Sequence, residues 1–268
     1  MTPSRTRWLA TVLVLVAAIA IGYRLAPRTP VPVDPPAPVL SAPPGAMRVL
    51  FVGNSHTYMH DVPELVRRLA EDGATQIWRR VSTAGGLDLS GHLDRGEVTR
   101  MLRQEPFDVV VVQPQGVEAI WQPEAFTSAL HAFEDEARAA GARIVVWAMW
   151  ARDPARDAYG IYQEPWGGRD VADQTRRLAA STRRAARSAV VAPIGEAWLA
   201  AHEQLPELEL HSDGSHATLA GAYLAALVLD GILHDRPPDA TSWCPEGLSA
   251  DTASELRRIA TDTLASSR

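Results

Sequence analysis

The chain contains no lysine; all 26 of its basic residues are arginine. That absence removes Schiff-base catalysis and the lysine of a phosphate-binding loop. Cysteine occurs once, at Cys244, which excludes an intrachain disulfide and a thiolate zinc cluster. Positive charge is scarce as well. Asp and Glu number 32 against the 26 arginines, a net charge of −6. Residues 1–46 hold Arg5, Arg7, Arg24 and Arg28 against Asp34 alone, so their +3 leaves −9 on residues 47–268. Such a body lacks the basic footprint that nucleic-acid binding needs. With 268 residues, 46% hydrophobic and 22% charged, the composition fits a packed domain and excludes a disordered or collagen-like chain.

The first 46 residues read as separate from the fold. Arg5 and Arg7 precede an unbroken apolar run from Trp8 to Tyr23, closed by Arg24. At 1.5 Å per residue the run covers about 24 Å, just short of a bilayer core of about 30 Å. Residues 1–24 are therefore expected to be a signal peptide or a signal-anchor transmembrane segment, with Ala18-Ile19-Ala20 resembling a small-x-small cleavage site. Residues 25–46 form a proline-rich linker, with eight prolines in 27–44 that favour polyproline II and oppose packing. At about 3.1 Å per residue it could hold a domain about 50 Å from a membrane. The expected arrangement is an exported body, either membrane-anchored through the N-terminal segment only or secreted or periplasmic after cleavage. An exported chain without disulfides points to a bacterial envelope.

Residues 47–268 read as a single domain. Short apolar or β-branched runs at 47–53, 76–83, 107–113, 142–149 and 188–194 alternate with helix-period segments at 62–72, 97–104, 123–140 and 169–187. Two further helices are expected at about 216–233 and 250–266. Near-continuous apolar strands between amphipathic helices predict a three-layer α/β/α sandwich around a parallel sheet of about five strands. Ligands of such sheets sit at the carboxyl ends of the strands, so the residues following each run are the ones that carry chemistry.

After the first run comes Gly53-Asn54-Ser55-His56-Thr57, where a glycine turn projects a serine from the sheet edge. The second run ends in Thr83-Ala84-Gly85-Gly86, whose bare N–H groups can approach a ligand. The third ends in Gln113-Pro114-Gln115-Gly116, which offers amide donors. Near the C-terminus stands His211-Ser212-Asp213-Gly214-Ser215-His216, expected to open a helix at Ala217. An Asp three residues before a His can hold the imidazole tautomer. Together these supply a nucleophile, a base with its orienter, and oxyanion donors.

On those residues the sequence resembles the SGNH (GDSL-like) hydrolase superfamily of serine esterases and lipases. The likeness spans about 47–235 and rests on VLFVGNSHT at 49–57, the glycine turn at 85–86 and DGSH at 213–216. The resemblance implies a flavodoxin-like fold, Ser55 as nucleophile, His216 as base and Asp213 as its orienter. It implies oxyanion donors from Ser55, from Gly85 or Gly86, and from Gln115, which stands where the family usually carries Asn. Gln113 replaces the glycine of the same block. No metal or organic cofactor is implied. The expected substrate is a small-molecule or glycan ester, with O-acetyl groups on a polysaccharide or peptidoglycan favoured. An O-acyltransferase on the same fold and a non-catalytic glycan-binding module are the alternatives. Oligomeric state is not legible.

Other residues carry competing readings. The loop 151–168 is long for a strand-to-helix connection and carries Tyr159, Tyr162 and Trp166, with Trp150 at its root; it reads as a lid or binding wall, or as a self-packed surface loop. Asn54 and Gln113 join these aromatics as candidate substrate-binding residues. Ser55 could instead be a helix N-cap. His56 and His60 beside Asp61 suggest a metal site, but Pro63 opposes a shared helix face. His92 reads as a surface or supporting residue, Glu134-Asp135-Glu136 as a solvated helix face, and Trp147 and Met149 as core.

Overall fold

The computed structural model describes residues 42–267. The expected leader, 1–24, and linker residues 25–41 lie outside the described residues. Among the described residues no helix is long and apolar enough to cross a membrane.

Five parallel strands form one sheet: β1 (Met47–Gly53), β2 (Ile77–Thr83), β3 (Val109–Val112), β4 (Arg143–Trp147) and β5 (Val190–Ala192), in the order β2-β1-β3-β4-β5. Val49 and Val52 of β1 stand opposite Val109 and Val112 of β3, which in turn face Arg143 and Val146 of β4. Between the strands run α1 (Ser55–Tyr58), α2 (Val62–Asp72), α3 (Leu89–Arg95), α4 (Glu97–Gln104), α5 (Glu118–Trp121), α6 (Pro123–Ala139) and α7 (Val171–Ala185), and after β5 come α8 (Ile194–Gln204), α9 (Leu219–His234) and α10 (Ala250–Ser266).

Alternation along the strands divides the core in two, because successive side chains point to opposite faces. Val49, Phe51, Val109, Val111, Val145 and Trp147 pack on one face against α2, α8, α9 and α10. Leu50, Val52, Val110, Val112, Ile144 and Val146 pack on the other against α3, α4, α6 and α7. The sandwich expected from the alternating pattern is the fold observed. Helix α9 is buried almost all round, which explains its apolar run from Leu224 to Leu229. In the sheet β1 lies between β2 and β3, so the connection from β1 runs to β2 on one side while that from β3 runs to β4 on the other. That switch point opens a crevice at the carboxyl end of β1, where Ser55 sits.

Several expectations need correction. α9 starts at Leu219, not Ala217, because Thr218 caps it by accepting from the N–H of Gly221 while 211–217 remains a turn. Glu134 is no solvated residue: it is 1% exposed, and its carboxylate accepts the N–H groups of Arg187, Ser188 and Ala189 at 2.7–2.9 Å. It therefore ties α6 to the chain entering β5. Trp147 and Met149 are core residues, as read.

Candidate active site

The serine turn is built by close packing. A Cβ on Gly53 would lie 2.3 Å from Thr57 Oγ1 and 2.6 Å from Gln113 Oε1, so only glycine fits there. Asn54 then caps α1, its Oδ1 accepting the N–H of His56 at 3.2 Å while its Nδ2 donates to the Leu87 carbonyl at 2.9 Å. The amide oxygen of Gln113 accepts the Asn54 N–H at 2.9 Å and the Thr57 hydroxyl at 3.0 Å. His92 Nε2 bonds the Gly53 carbonyl at 2.8 Å. His92 is thus a buried support of the turn rather than a surface residue; burial pushes its pKa down. With its neighbours held, Ser55 begins α1, and its N–H is one of the first-turn donors that has no acceptor within the helix.

The C-terminal turn meets this serine. Asp213 Oδ1 accepts the backbone N–H of Ser215 at 2.9 Å and of His216 at 2.8 Å, while Oδ2 accepts His216 Nδ1–H at 2.7 Å. With Nδ1 so engaged, His216 Nε2 is the acceptor for Ser55 Oγ–H, 2.8 Å away. Burial pushes the Asp213 carboxyl up, but the three hydrogen bonds from Ser215 and His216 outweigh it and hold the group well below the ordinary carboxylate range. The loop after β4 braces the turn. Trp150 Nε1–H donates to the Ser215 carbonyl at 2.9 Å, and Asp153 N–H donates to the Gly214 carbonyl at 3.0 Å. Gly214 has φ +86, and a Cβ on it would stand 2.6 Å from the Arg156 Cβ. Only glycine lets the two loops touch.

A cleft of about 710 Å³ opens over Ser55 and His216. Gly86, at φ +67 with open space around it, lines the cleft; Gly85 does not and lies back against Tyr58. Gln115 lines it too. Its Oε1 is buried without a partner, which leaves the amide nitrogen as the end available to a ligand, and its backbone N–H donates to the buried carboxylate of Glu118 at 2.8 Å.

The structure separates the expected substrate-binding residues. Tyr159 and Trp166 line the cleft. Trp150 does not: it is buried, stacked on Trp198 with centroids 4.2 Å apart, and acts through Ser215. Tyr162 donates its hydroxyl to the Arg152 carbonyl at 2.5 Å and faces the loop rather than the cleft. Gln113 is sequestered beneath the serine turn, and Asn54 reaches the cleft while its side chain is spent on capping. The loop 151–168 is both of the things its sequence suggested. It walls the cleft, yet it packs on itself through two 3-10 turns and the buried Ile161.

Among the cleft residues, Trp121 and Arg152 escaped the sequence reading, and His56 was read only as a metal-ligand candidate. Trp121, 52% exposed on α5, forms part of the aromatic wall. Arg152 reaches in from the loop after β4. His56 lies buried with its ring 5.0 Å from that of His216 and edge-on to Trp150. Burial above all, with the neighbouring His216 and Arg152, pulls His56 down to about 3, so it stays neutral beside His216. His60 is exposed and left-handed at φ 59, so the two histidines do not converge on a metal site. The adjacency of His56 to Ser55 was the one signal available for it in the sequence.

No family model matches the sequence, and no curated protein matches it. Solved structures do. A Slackia heliotrinireducens protein assigned to the SGNH hydrolases is 30% identical with a TM-score of 0.60, the match covering 70% of this chain and 99% of that one. A DUF4886 family protein from Bacteroides uniformis is 18% identical with a TM-score of 0.72, over 82% of this chain and 95% of that one. TesA is 20% identical with a TM-score of 0.50, over 70% of this chain and 99% of its own. At these lower identities the latter two show the shared fold. With 30% identity across 99% of the Slackia protein and a TM-score of 0.60, this chain belongs to the SGNH (GDSL-like) family of carboxylic ester hydrolases.

Proposed function

We propose that the protein hydrolyses a carboxylic ester by acyl transfer through Ser55, His216 and Asp213. The observation that carries this reading is the single imidazole held at both ends, 2.7 Å from Asp213 and 2.8 Å from Ser55. Asp213 holds Nδ1–H, so His216 Nε2 presents a lone pair to the serine hydroxyl. As Ser55 Oγ bonds to the ester carbonyl carbon, its proton passes to Nε2. The oxyanion so formed is stabilised by the N–H groups of Ser55 and Gly86 and by the Gln115 amide. The C–O bond to the leaving group then breaks, and His216 returns the proton to the departing alcohol. Water, deprotonated by His216, attacks the acyl-serine; the acid leaves and Ser55 regains its proton. The neutral His56 avoids placing a second cation against the imidazolium that forms midway.

The cleft supports a glycan ester, such as an O-acetylated polysaccharide, because the rings of Trp121, Tyr159 and Trp166 offer apolar faces on which sugars can lie. The Arg-flanked apolar run and proline-rich stretch of residues 1–46 support an exported enzyme working at the cell envelope. Cell fractionation checks this, and recovery of the chain in the cytosol would refute it.

The direct test measures 4-nitrophenyl acetate hydrolysis by the full chain and by Ser55→Ala, alongside fluorophosphonate labelling. Ser55-dependent release with a label on Ser55 is expected. A folded protein showing neither would overturn the assignment.

A further inference from the structure

Arg152 occupies the same cleft as Ser55 and His216, on the side of Gly116. A Cβ on Gly116 would lie 3.1 Å from Arg152 Nη2, so this glycine makes room for the guanidinium directly beside Gln115. The guanidinium carbon stands 5.7 Å from the Tyr159 ring centre. Its backbone is fixed on both sides: the N–H donates to the buried Gln174 Oε1 at 2.7 Å, and the carbonyl accepts the Tyr162 hydroxyl at 2.5 Å. The position is built, not incidental.

Most of the other charges of the cleft have partners. Arg156 pairs with Glu209 at 3.2 Å and with Asp153 at 3.7 Å, and Asp213 holds His216. Asp157 accepts the Tyr162 N–H at 2.9 Å through Oδ2 while its buried Oδ1 has no hydrogen-bond partner, and Glu164 is exposed at the rim. Among the described residues no carboxylate oxygen comes within the 4.0 Å of an ion pair with Arg152. Burial pulls the guanidinium below its ordinary value, and the nearby Tyr159, Asp157 and Asp213 offset this only in part. A half-buried cation without a counter-ion carries an uncompensated desolvation cost that a bound anion removes. The planar fork matches a carboxylate in two parallel hydrogen bonds.

We propose that Arg152 is a specificity determinant that selects esters of carboxylate-bearing sugars, gripping the sugar carboxylate while the neighbouring O-acyl group reaches Ser55. This rests on the ester hydrolysis proposed above and narrows its substrate class. Trp121, Tyr159 and Trp166 flank the sugar ring, and Arg152 reads its charge. A neutral acetylated glycan fills the same cleft but leaves the guanidinium unpaired.

The test uses one oligosaccharide in two forms: O-acetylated oligogalacturonide as the free acid, and the same material with its carboxylates methyl-esterified. The full chain is compared with Arg152→Gln, Arg152→Lys and, as a control for net charge, the exposed Arg184→Gln. For the wild type, kcat/KM should favour the free acid by about 10- to 100-fold, chiefly through KM. The preference should collapse towards unity in Arg152→Gln, be partial in Arg152→Lys, and persist in Arg184→Gln. A second readout needs no variant: unacetylated oligogalacturonate should inhibit wild-type hydrolysis of 4-nitrophenyl acetate more strongly than its methyl ester does. Equal handling of both forms by the wild type overturns the inference, as does a preference that survives Arg152→Gln or hydrolysis of neither oligosaccharide. In each of those cases, Ser55-dependent release from 4-nitrophenyl acetate leaves the esterase assignment standing. Loss of that release as well would sink both.

Discussion

The indole N–H of Trp150 donates to the carbonyl of Ser215 at 2.9 Å, one peptide away from His216. The same indole is stacked on Trp198 at an interplanar angle of 4° and meets His56 edge-on. A core aromatic thus clamps the turn that carries His216. In Trp150→Phe most of the packing remains, but the Ser215 carbonyl loses its donor. Stability should fall by about 1–2 kcal/mol. Freed by the lost bond, His216 should sit less accurately over Ser55 and kcat should drop by about 10- to 100-fold with KM little changed. Thermal unfolding and steady-state kinetics measure the two effects separately. A lower Tm with kcat intact would show that Trp150 only packs.

Gln113 and Gln115 stand two residues apart and invite opposite outcomes. Gln115 reaches the cleft with an uncommitted amide nitrogen, whereas the Gln113 amide oxygen is spent on Asn54 and Thr57. Gln115→Ala should lower kcat by about 10²–10³, with KM and Tm near their wild-type values, if the lost donor serves the oxyanion as proposed. Gln113→Ala should instead leave two buried donors unpaired and lower Tm first. Paired kinetics and melting curves decide the matter. A Gln115→Ala enzyme with unchanged kcat would remove the amide from the oxyanion site.

Much of this arrangement was legible because strands and helices of this fold write different periods. The five apolar runs stood out for that reason, and the serine after β1 and the Asp-x-x-His before α9 by their place in the chain and their likeness to the family's motifs. Helices α3 and α8 did not. Gly91 and Gly195 sit near their starts, where glycine weakens a helical pattern; a Cβ on Gly195 would lie 2.3 Å from the Met149 carbonyl, and one on Gly91 would lie 2.5 Å from Leu87 Cδ1. Side-chain direction was equally hidden. Trp150 and Tyr162 have the composition of a binding wall, but each points its polar atom at a backbone carbonyl. Arg152 and Trp121 reach the cleft from a loop and from α5, far apart in the chain, and no local pattern announces such a convergence. Glu134 looked solvated within its acidic run because its partners, at 187–189, lie far along the chain.

Glu118 makes the site sensitive to pH through stability. Its carboxylate accepts the N–H of Gln115 at 2.8 Å and that of Leu89 at 3.4 Å, while its side chain lies buried beneath the cleft. Burial pushes its pKa up to about 7 from an ordinary 4.5, and Asp88 adds to the rise; the two backbone donors oppose it without cancelling it. The folded state therefore binds the proton more tightly than the unfolded chain. Its contribution to stability is complete below about 4.5, declines between there and about 7, and is gone at higher pH. The full swing is at most about 3 kcal/mol. Glu118→Gln cannot titrate, so the difference in Tm between variant and wild type should shift in the variant's favour as pH rises from 5 to 8 (about the titration window). Melting both proteins across that range measures the difference directly. A difference that stays flat would mean that the buried carboxyl keeps the same charge throughout, and that the Gln115 loop is held independently of pH.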